Sequence, residues 1–304
     1  MRNSMAPKDD EWTILKLLEW TSTYFKSHDI DSARATAEIL LAHALNLSRI
    51  ELYLRYDQPL IKDELKVFKE LIRRRVLKEP VAYILGRREF WSMELDVSRD
   101  VLIPRPETEC LVEQALAVLN DTEATACRRI LELGTGSGAI ILALLSRLGP
   151  CVGIASDISY SALQLARNNA RHHGLDARIH FLCADWTQPF KTQFEPFDII
   201  VSNPPYIQTH HIPTLQPEIH RYEPLLALDG GDDGLRCLRK IISEAHHFLL
   251  PGGTLLMEIG HDQRQALEQI VVANRHYESP VFHKDYGGYD RVLSIKAHGK
   301  RCTD

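Results

Sequence analysis

The run Asn203, Pro204, Pro205 and Tyr206 stands directly after the apolar stretch "FDIIVS". Proline cannot donate to a sheet ladder, so the two prolines end a predicted buried strand and leave backbone carbonyls free. The side-chain oxygen of Asn203 and the carbonyl of Pro204 could then accept both protons of a planar NH₂ group, with Tyr206 stacked on it. This cradle would orient the nitrogen toward a sulfonium methyl group, without a general base in the transition state.

A glycine-rich loop, residues 134–138 in "LELGTGSGA", lies between a strand-like run and a helix-like run. Glycines at 134, 136 and 138 suit a backbone that turns sharply and lets a ligand approach closely. Asp157 ends the next predicted strand, 23 residues past Gly134, where its carboxylate could accept hydrogen bonds from both ribose hydroxyls. The pattern indicates a nucleoside site. Because Ala139 completes G-x-G-x-x-A, a nicotinamide dinucleotide oxidoreductase stays open as an alternative.

Acidic and aromatic residues follow three successive predicted strands. Asp185 and Trp186 come after the third strand, where a carboxylate could accept an adenine amino proton and an indole could pack on a ring face. With Glu132 and Asp157 nearby, the site would hold three carboxylates, which repel a diphosphate and attract a cation. This charge favours S-adenosylmethionine over a dinucleotide.

The elements that position these residues fall into two parts. Residues 1–85 read as a small helical bundle, in which Ser48 and Glu51 have capping-box spacing. Residues 86–106 alternate like a hairpin linker. From residue 107 to 304, strand-like and helix-like runs alternate, which predicts a doubly wound α/β domain with a mostly parallel sheet. The stretch of nearly thirty residues after Tyr206 has no clear periodicity and is predicted to form a substrate wall.

Composition narrows the class of protein. The chain has 304 residues, 44% of them hydrophobic, and a formal net charge of -5. Residues 1–85 hold 14 Lys and Arg against 13 Asp and Glu, so they offer no basic surface for a nucleic-acid duplex. The N-terminus lacks the apolar core of a leader peptide, and no apolar run approaches the length of a membrane span. A soluble, cytoplasmic protein without stable nucleic-acid or membrane binding is expected.

The cysteines and histidines suggest no metal site. Six cysteines are scattered without a C-x-x-C pair, which suits a reduced compartment and predicts packing roles; they are Cys110, Cys127, Cys151, Cys183, Cys237 and Cys302. Three pairs of adjacent histidines also occur, but neighbouring side chains point apart on a helix or strand. No metal ligand is therefore assigned.

The chain resembles the HemK/PrmC family of peptide chain release factor glutamine methyltransferases in five segments: "EFWSMELDVSRDVLIPRPETECLVEQAL", "LELGTGSGAI", "VSNPPYI", "YEPLLALDGGDDGL" and "DYGGYDRVL". Asn-Pro-Pro-Tyr alone is shared with amino-methyltransferases that act on DNA and RNA bases. The segments "IPRPETE" and "YEP…ALDGG" point to this family in particular.

The resemblance implies a seven-stranded sheet of the class I S-adenosylmethionine-dependent methyltransferases and a monomeric enzyme. The implied reaction is methyl transfer from S-adenosylmethionine to the glutamine amide in the Gly-Gly-Gln motif of class I release factors. Because its charge is near neutral, the helical domain is expected to dock this protein substrate. Residues 134–138, with Thr135 and Ser137, would contact the cofactor together with Asp157, Trp186 and Asn203. Asn203 to Tyr206 would hold the glutamine. The alternatives are a DNA or RNA amino-methyltransferase, the oxidoreductase and a non-catalytic cofactor-binding module.

Overall fold

The computed structural model describes residues 11–120, 128–188 and 195–299. The chain forms two compact units, Met1–Gly86 and Arg87–Asp304. None of the helices in the described ranges is long and apolar enough to cross a membrane.

The first unit is helical throughout its described part. Its helices are α1 (Ile14–Lys26), α2 (Ala33–Leu45), α3 (Arg49–Leu54), α4 (Lys62–Val76) and α5 (Val81–Leu85). The capping box at the start of α3 is confirmed, since Ser48 Oγ accepts from the Glu51 amide and Glu51 Oε2 accepts from the Ser48 amide. Fully buried side chains from α1, α2 and α4, among them Phe25, Leu40 and Phe68, form one apolar core.

The second unit begins with an antiparallel hairpin of β1 (Arg87–Phe90) and β2 (Met93–Asp96). Its described residues also form a seven-stranded sheet: β3 (Arg128–Leu133), β4 (Cys151–Asp157), β5 (Ile179–Cys183), β6 (Phe197–Ser202), β7 (Leu249–Glu258), β8 (Val281–Lys284) and β9 (Asp290–Lys296). The strand order is β5-β4-β3-β6-β7-β9-β8, and β9 runs antiparallel to both of its neighbours. The predicted mostly parallel α/β sheet is confirmed.

Helices cover both faces of this sheet. The described helices are α6 (Glu109–Asn120), α7 (Ala139–Arg147), α8 (Tyr160–His172), α9 (Pro217–His220), α10 (Arg236–Ala245) and α11 (Arg264–Ala273). Successive strand residues point to opposite faces. Ile130 therefore belongs to the core cluster that includes α6 and α7, whereas Leu131 belongs to the cluster that includes α10 and α11.

The topology fixes where a ligand can bind. From the central strand β3 the chain moves outward to β4 and β5, then returns to pair β6 on the other side of β3. The carboxyl ends of these four parallel strands therefore meet at the point where the strand order reverses. Such switch points are the usual ligand sites of doubly wound sheets.

The packing role predicted for the cysteines holds for part of the set. Cys110, Cys151 and Cys237 are buried, but Cys183, the last residue of β5, is exposed, so its prediction was wrong. The apolar neighbours in "HFLCAD" did not reveal that this edge strand ends in solvent. Cys127 and Cys302 lie outside the described residues.

Candidate active site

A cavity of about 670 Å³ opens at the carboxyl ends of β3, β4, β5 and β6. Most of the residues selected from the sequence line it: Glu132, Gly134, Thr135, Gly136, Ser137, Asp157, Asp185, Trp186, Asn203 and Pro205. Gly138, Pro204 and Tyr206 are not among its lining residues. The structure thus gathers side chains from four strand ends around one space, as their positions in the chain predict.

The glycine loop is tied to the neighbouring strand by its own amides. The Gly134 and Thr135 amides both donate to the Ser156 carbonyl at 2.9 Å, and the Gly136 amide donates to Asp157 Oδ2 at 2.8 Å. The Gly138 amide donates to the Thr135 carbonyl at 2.9 Å. Because a diphosphate site uses free loop amides as donors, this bonding pattern favours a nucleoside without a diphosphate.

Asn169 of α8 fastens the loop from outside the cavity. Its Nδ2 donates to the Ser137 carbonyl at 2.9 Å and to the Asp96 carbonyl at 3.0 Å, and its Oδ1 accepts from the Asp96 amide. The fully buried side chain thereby links the loop to the β1-β2 hairpin. Since its partners lie far away in the chain, Asn169 was not found from the sequence.

Glu132 carries an unsatisfied oxygen on the cavity wall. The side chain is fully buried; its Oε2 accepts from Thr135 Oγ1 at 2.6 Å and from the Ile141 amide at 3.2 Å. Among the described residues, Oε1 has no hydrogen-bond partner. Burial raises the pKa of Glu132 to about 8. Burial thus favours the neutral carboxyl, so the three-carboxylate charge argument is weaker than the sequence indicated. The unpartnered Oε1 leaves room for a hydrogen bond from a ligand.

Asp157 keeps part of its accepting capacity. Oδ2 accepts from the Gly136 amide, and Oδ1 accepts from the Ser159 amide, both at 2.8 Å. Burial raises the pKa of this carboxyl, and those two backbone hydrogen bonds oppose the shift. An ionised carboxylate has about four lone-pair sites, so each oxygen retains capacity for a hydroxyl donor.

Trp186 and Asp185 close the cavity on the β5 side. Trp186 has a left-handed backbone, φ 53°, and its ring lies over the glycine loop: a Cβ added to Gly134 would meet ring atom Cζ3 at 3.6 Å. Asp185 Oδ2 accepts from Gln188 Nε2 at 3.0 Å. Both side chains line the space where a planar base could lie.

The Asn-Pro-Pro-Tyr turn is held by a second glycine-rich segment, "DGGDDG". A Cβ on Gly230 would lie 2.8 Å from Tyr206 Cα, and one on Gly234 would overlap the Tyr206 carbonyl oxygen. Gln263 Nε2 donates to the carbonyls of both Tyr206 and Gly234, at 3.1 and 3.0 Å. The glycines are therefore required because two backbone segments touch here.

A buried network joins the turn to two residues that the sequence did not single out. Asn203 Nδ2 donates to Thr108 Oγ1 at 3.3 Å, and Thr108 Oγ1 donates to Glu258 Oε2 at 2.6 Å. Tyr206 Oη donates to the other oxygen of Glu258 at 3.0 Å. Burial raises the pKa of the Tyr206 hydroxyl, which keeps it a donor. The stacking role assigned to Tyr206 stays a prediction; the structure shows its hydroxyl anchored to Glu258.

Two further segments wall the cavity. Arg105, which lines the cavity, donates to the buried side chain of Glu223, and Glu223 precedes the lining residue Pro224. This ion pair joins the segment "IPRPETE" to the segment "YEP". Beyond it, Leu225 and Leu226 line the cavity while each remains 60% exposed. Part of the segment after Tyr206 therefore lines the cavity, and its role as a substrate wall stays a prediction.

One rule applied to the sequence would have found Glu258. It ends β7 as Asp157 ends β4, and the carboxyl ends of parallel strands meet at one edge. Thr108 carried no such signal, because it lies in a 3-10 turn before α6.

Comparisons with known proteins agree with this geometry. Residues 16–86 match the PrmC N-terminal domain family, and residues 125–297 match a methyltransferase domain family. A release factor glutamine methyltransferase of Geobacter sulfurreducens is 41% identical over 86% of this chain and 89% of its own length. One of Agrobacterium fabrum is 42% identical, with the same two coverages. The fold is shared with the solved catalytic domain of hMettl16 in complex with MAT2A 3'UTR hairpin 1. The two structures match with a TM-score of 0.57 and 13% sequence identity, and the match covers 77% of this chain and 82% of that chain.

Proposed function

We propose a specific reaction for this chain, which belongs to the release factor glutamine methyltransferase family. The chain methylates the side-chain amide of the glutamine in the Gly-Gly-Gln motif of class I release factors, with S-adenosylmethionine as the methyl donor. The observation that carries the proposal is Asn203 at the cavity wall, with its NH₂ group turned to Thr108 and its oxygen left to accept from a substrate. A planar amide NH₂ offers two protons to such an acceptor.

The residues around the cavity fit S-adenosylmethionine. The unpartnered Oε1 of Glu132 would accept from the ammonium of the methionyl end. Asp157 would accept from the ribose hydroxyls, while Asp185 and Trp186 would hold the adenine. Bound S-adenosylmethionine supplies a methyl group carried on a positively charged sulfonium sulfur. Loss of the methyl group turns this sulfur into a neutral sulfide, which is the leaving group.

The chain's own residues position the acceptor nitrogen. Asn203 Oδ1 and the Pro204 carbonyl would accept the two amide protons, which fixes the plane of the amide and presents its nitrogen to the methyl carbon. Transfer to this nitrogen would form the N–CH₃ bond as the S–CH₃ bond of the donor breaks, and the nitrogen would then lose one proton to solvent. Leu225 and Leu226 would cover the substrate and exclude water from the cavity.

The helical unit is proposed to dock the release factor, because a single loop presents too little surface for a specific complex. Such an interface buries on the order of 1,200–2,000 Å² in total. Residues 16–86, which match the PrmC N-terminal domain family, span this unit.

Labelled S-adenosylmethionine tests the substrate class. The purified chain is incubated separately with a class I release factor, duplex DNA and total RNA, and incorporated label is counted. We expect label in the release factor alone. Label in DNA or RNA with none in the release factor would replace the proposal with a nucleic-acid amino-methyltransferase. A purified chain that retains a nicotinamide dinucleotide, identified by mass spectrometry, would point to the oxidoreductase.

A further inference from the structure

Thr108 lines the cavity beside Asn203, and Glu258 accepts hydrogen bonds from Thr108 and Tyr206; neither residue belongs to the acceptor cradle itself. Both side chains are buried, with Thr108 4% and Glu258 2% exposed. We propose that they are positioning residues that fix which way the Asn203 amide faces, so that its oxygen points to the substrate. The proposal rests on the proposed function.

Glu258 sets the direction of the Thr108 hydroxyl. Two hydroxyl groups converge on its two carboxyl oxygens, Thr108 on Oε2 at 2.6 Å and Tyr206 on Oε1 at 3.0 Å. Burial raises the pKa of Glu258, while the hydrogen bonds from Thr108 and Tyr206 and the charge of Arg291 oppose that shift. In its ionised form the carboxylate accepts hydrogen bonds and donates none, so the one proton of the Thr108 hydroxyl is then directed to Glu258.

The Thr108 hydroxyl in turn sets the orientation of the Asn203 amide. With its proton committed, Thr108 Oγ1 faces Asn203 with lone pairs alone, and a lone pair can be met by the amide NH₂ but not by the amide oxygen. A flipped amide would set two oxygens against each other at about the 3.3 Å that now separates Asn203 Nδ2 from Thr108 Oγ1. Glu258 thus selects one of the two amide orientations through Thr108.

Orientation matters because the two ends of the amide have opposite hydrogen-bonding character. In the selected orientation, Oδ1 accepts a proton from the substrate amide. In the flipped one, an NH₂ group would face the substrate NH₂, and the acceptor nitrogen would lose its alignment with the methyl donor. The network joins Thr108, Glu258, Asn203 and Tyr206, and the glycine loop and Asp157 are not members of it, so its main effect should fall on the chemical step.

The test uses the full chain with intact release factor and three Thr108 variants. Thr108→Val keeps the side-chain shape and removes the oxygen; Thr108→Ser restores the hydroxyl. We expect Thr108→Val to lower kcat by about tenfold, with the release factor KM and the S-adenosylmethionine Kd within about twofold of wild type. Thr108→Ser should recover kcat to within about threefold. Thr108→Ala provides the same comparison if Thr108→Val does not fold.

Thr187→Val is the matched control. Thr187 is likewise a buried threonine whose hydroxyl donates to a glutamate, Glu244, in the same unit, and the hydrogen bonds described for Asn203 do not involve it. It should lose stability but keep kcat. A wild-type kcat in folded Thr108→Val, or equal losses in Thr108→Val and Thr108→Ser, overturns the inference. These readings presuppose an active wild-type chain; absence of amide methylation by wild type would instead overturn the proposed function.

Discussion

At the scale of single residues, methyl transfer depends most strongly on the side-chain oxygen of Asn203, which in the proposed reaction accepts a hydrogen bond from the substrate amide. No other side chain of the turn can replace it, since Pro204 and Pro205 lack polar side-chain atoms and the Tyr206 hydroxyl is bound to Glu258. We expect Asn203→Ala to lower methyl transfer by roughly 10²-fold or more, as for the loss of an oriented polar group in a catalytic site. Steady-state kinetics with release factor measures this loss.

Folding of the Asn203→Ala chain should be little changed, because among the described residues the wild-type Asn203 amide makes one long hydrogen bond, to Thr108. Thermal unfolding of the variant provides the control. Undiminished turnover in a folded Asn203→Ala protein would contradict the acceptor role.

Glu132 makes cofactor binding depend on pH. Its pKa is about 8 without ligand, and pairing with an ammonium favours the ionised form, so binding releases a proton. Affinity for S-adenosylmethionine should therefore rise with pH between about 6 and 8, by at most about tenfold per unit, and level off above. Calorimetric titration across this range measures the slope.

Glu132→Gln is the control for that slope. Its side chain keeps the shape but does not titrate, so its affinity at pH 8 should be lower than that of wild type. The amino group of S-adenosylmethionine also changes its ionisation with pH, and this affects binding to the wild type and to the variant equally. The difference between the two pH profiles therefore isolates Glu132, and identical profiles would place the ammonium elsewhere.

At the scale of elements, the position of the acceptor turn depends on backbone contact with the "DGGDDG" segment. Gly234 has φ +72° and no room for a Cβ beside the Tyr206 carbonyl, whereas Gly288 has φ +82° and, among the described atoms, nothing within 4 Å of an added Cβ. Gly288→Ala should cost about 1–2 kcal/mol of unfolding free energy, the left-handed backbone term alone. Gly234→Ala should cost a further 1–3 kcal/mol or so from overpacking and should also lower kcat.

Chemical denaturation and methyl-transfer kinetics of the Gly234→Ala and Gly288→Ala chains separate two effects. One is the backbone strain that both variants share, and the other is the overlap with the Tyr206 carbonyl that only Gly234→Ala introduces. Equal losses of stability and equal kcat values would show that the second segment does not hold the turn.

The same elements show how far sequence reasoning reaches. Glu132, Asp157, Asp185 and Asn203 were found because each stands at or just after the carboxyl end of a parallel strand, and the sheet brings those ends together. Local patterns carry that information.

Pairings between distant segments could not be found in this way. Thr108 and Glu258 are 150 positions apart, and Arg105 and Glu223 are 118 apart. Neither member of these pairs signals the other locally, since the pairing arises only when α6 and the strands pack. The exposure of Cys183 was missed because nothing in its local sequence shows that β5 is the edge strand of the sheet.

At the scale of the whole molecule, chemistry and docking are assigned to different units. All residues that line the cavity belong to Arg87–Asp304. A chain beginning at Arg87 should therefore bind S-adenosylmethionine with near wild-type affinity if it folds. It should methylate intact release factor far more slowly, because lost docking contacts lower both affinity and turnover.

Steady-state methylation by the full and shortened chains, with cofactor titration of each, tests this division. Equal values of kcat/KM would assign the helical unit to folding or stability instead of docking.

Delivery of the methyl group to one amide nitrogen is tested most directly by tandem mass spectrometry of a class I release factor after incubation with the chain and S-adenosylmethionine. The same release factor with the glutamine of its Gly-Gly-Gln motif changed to glutamate is treated alongside it. We expect one added methyl group, on that glutamine side chain, and none on the substituted protein. A methyl group on another residue, or equal methylation of both proteins, would contradict the assignment of Asn203 and its cradle to that amide.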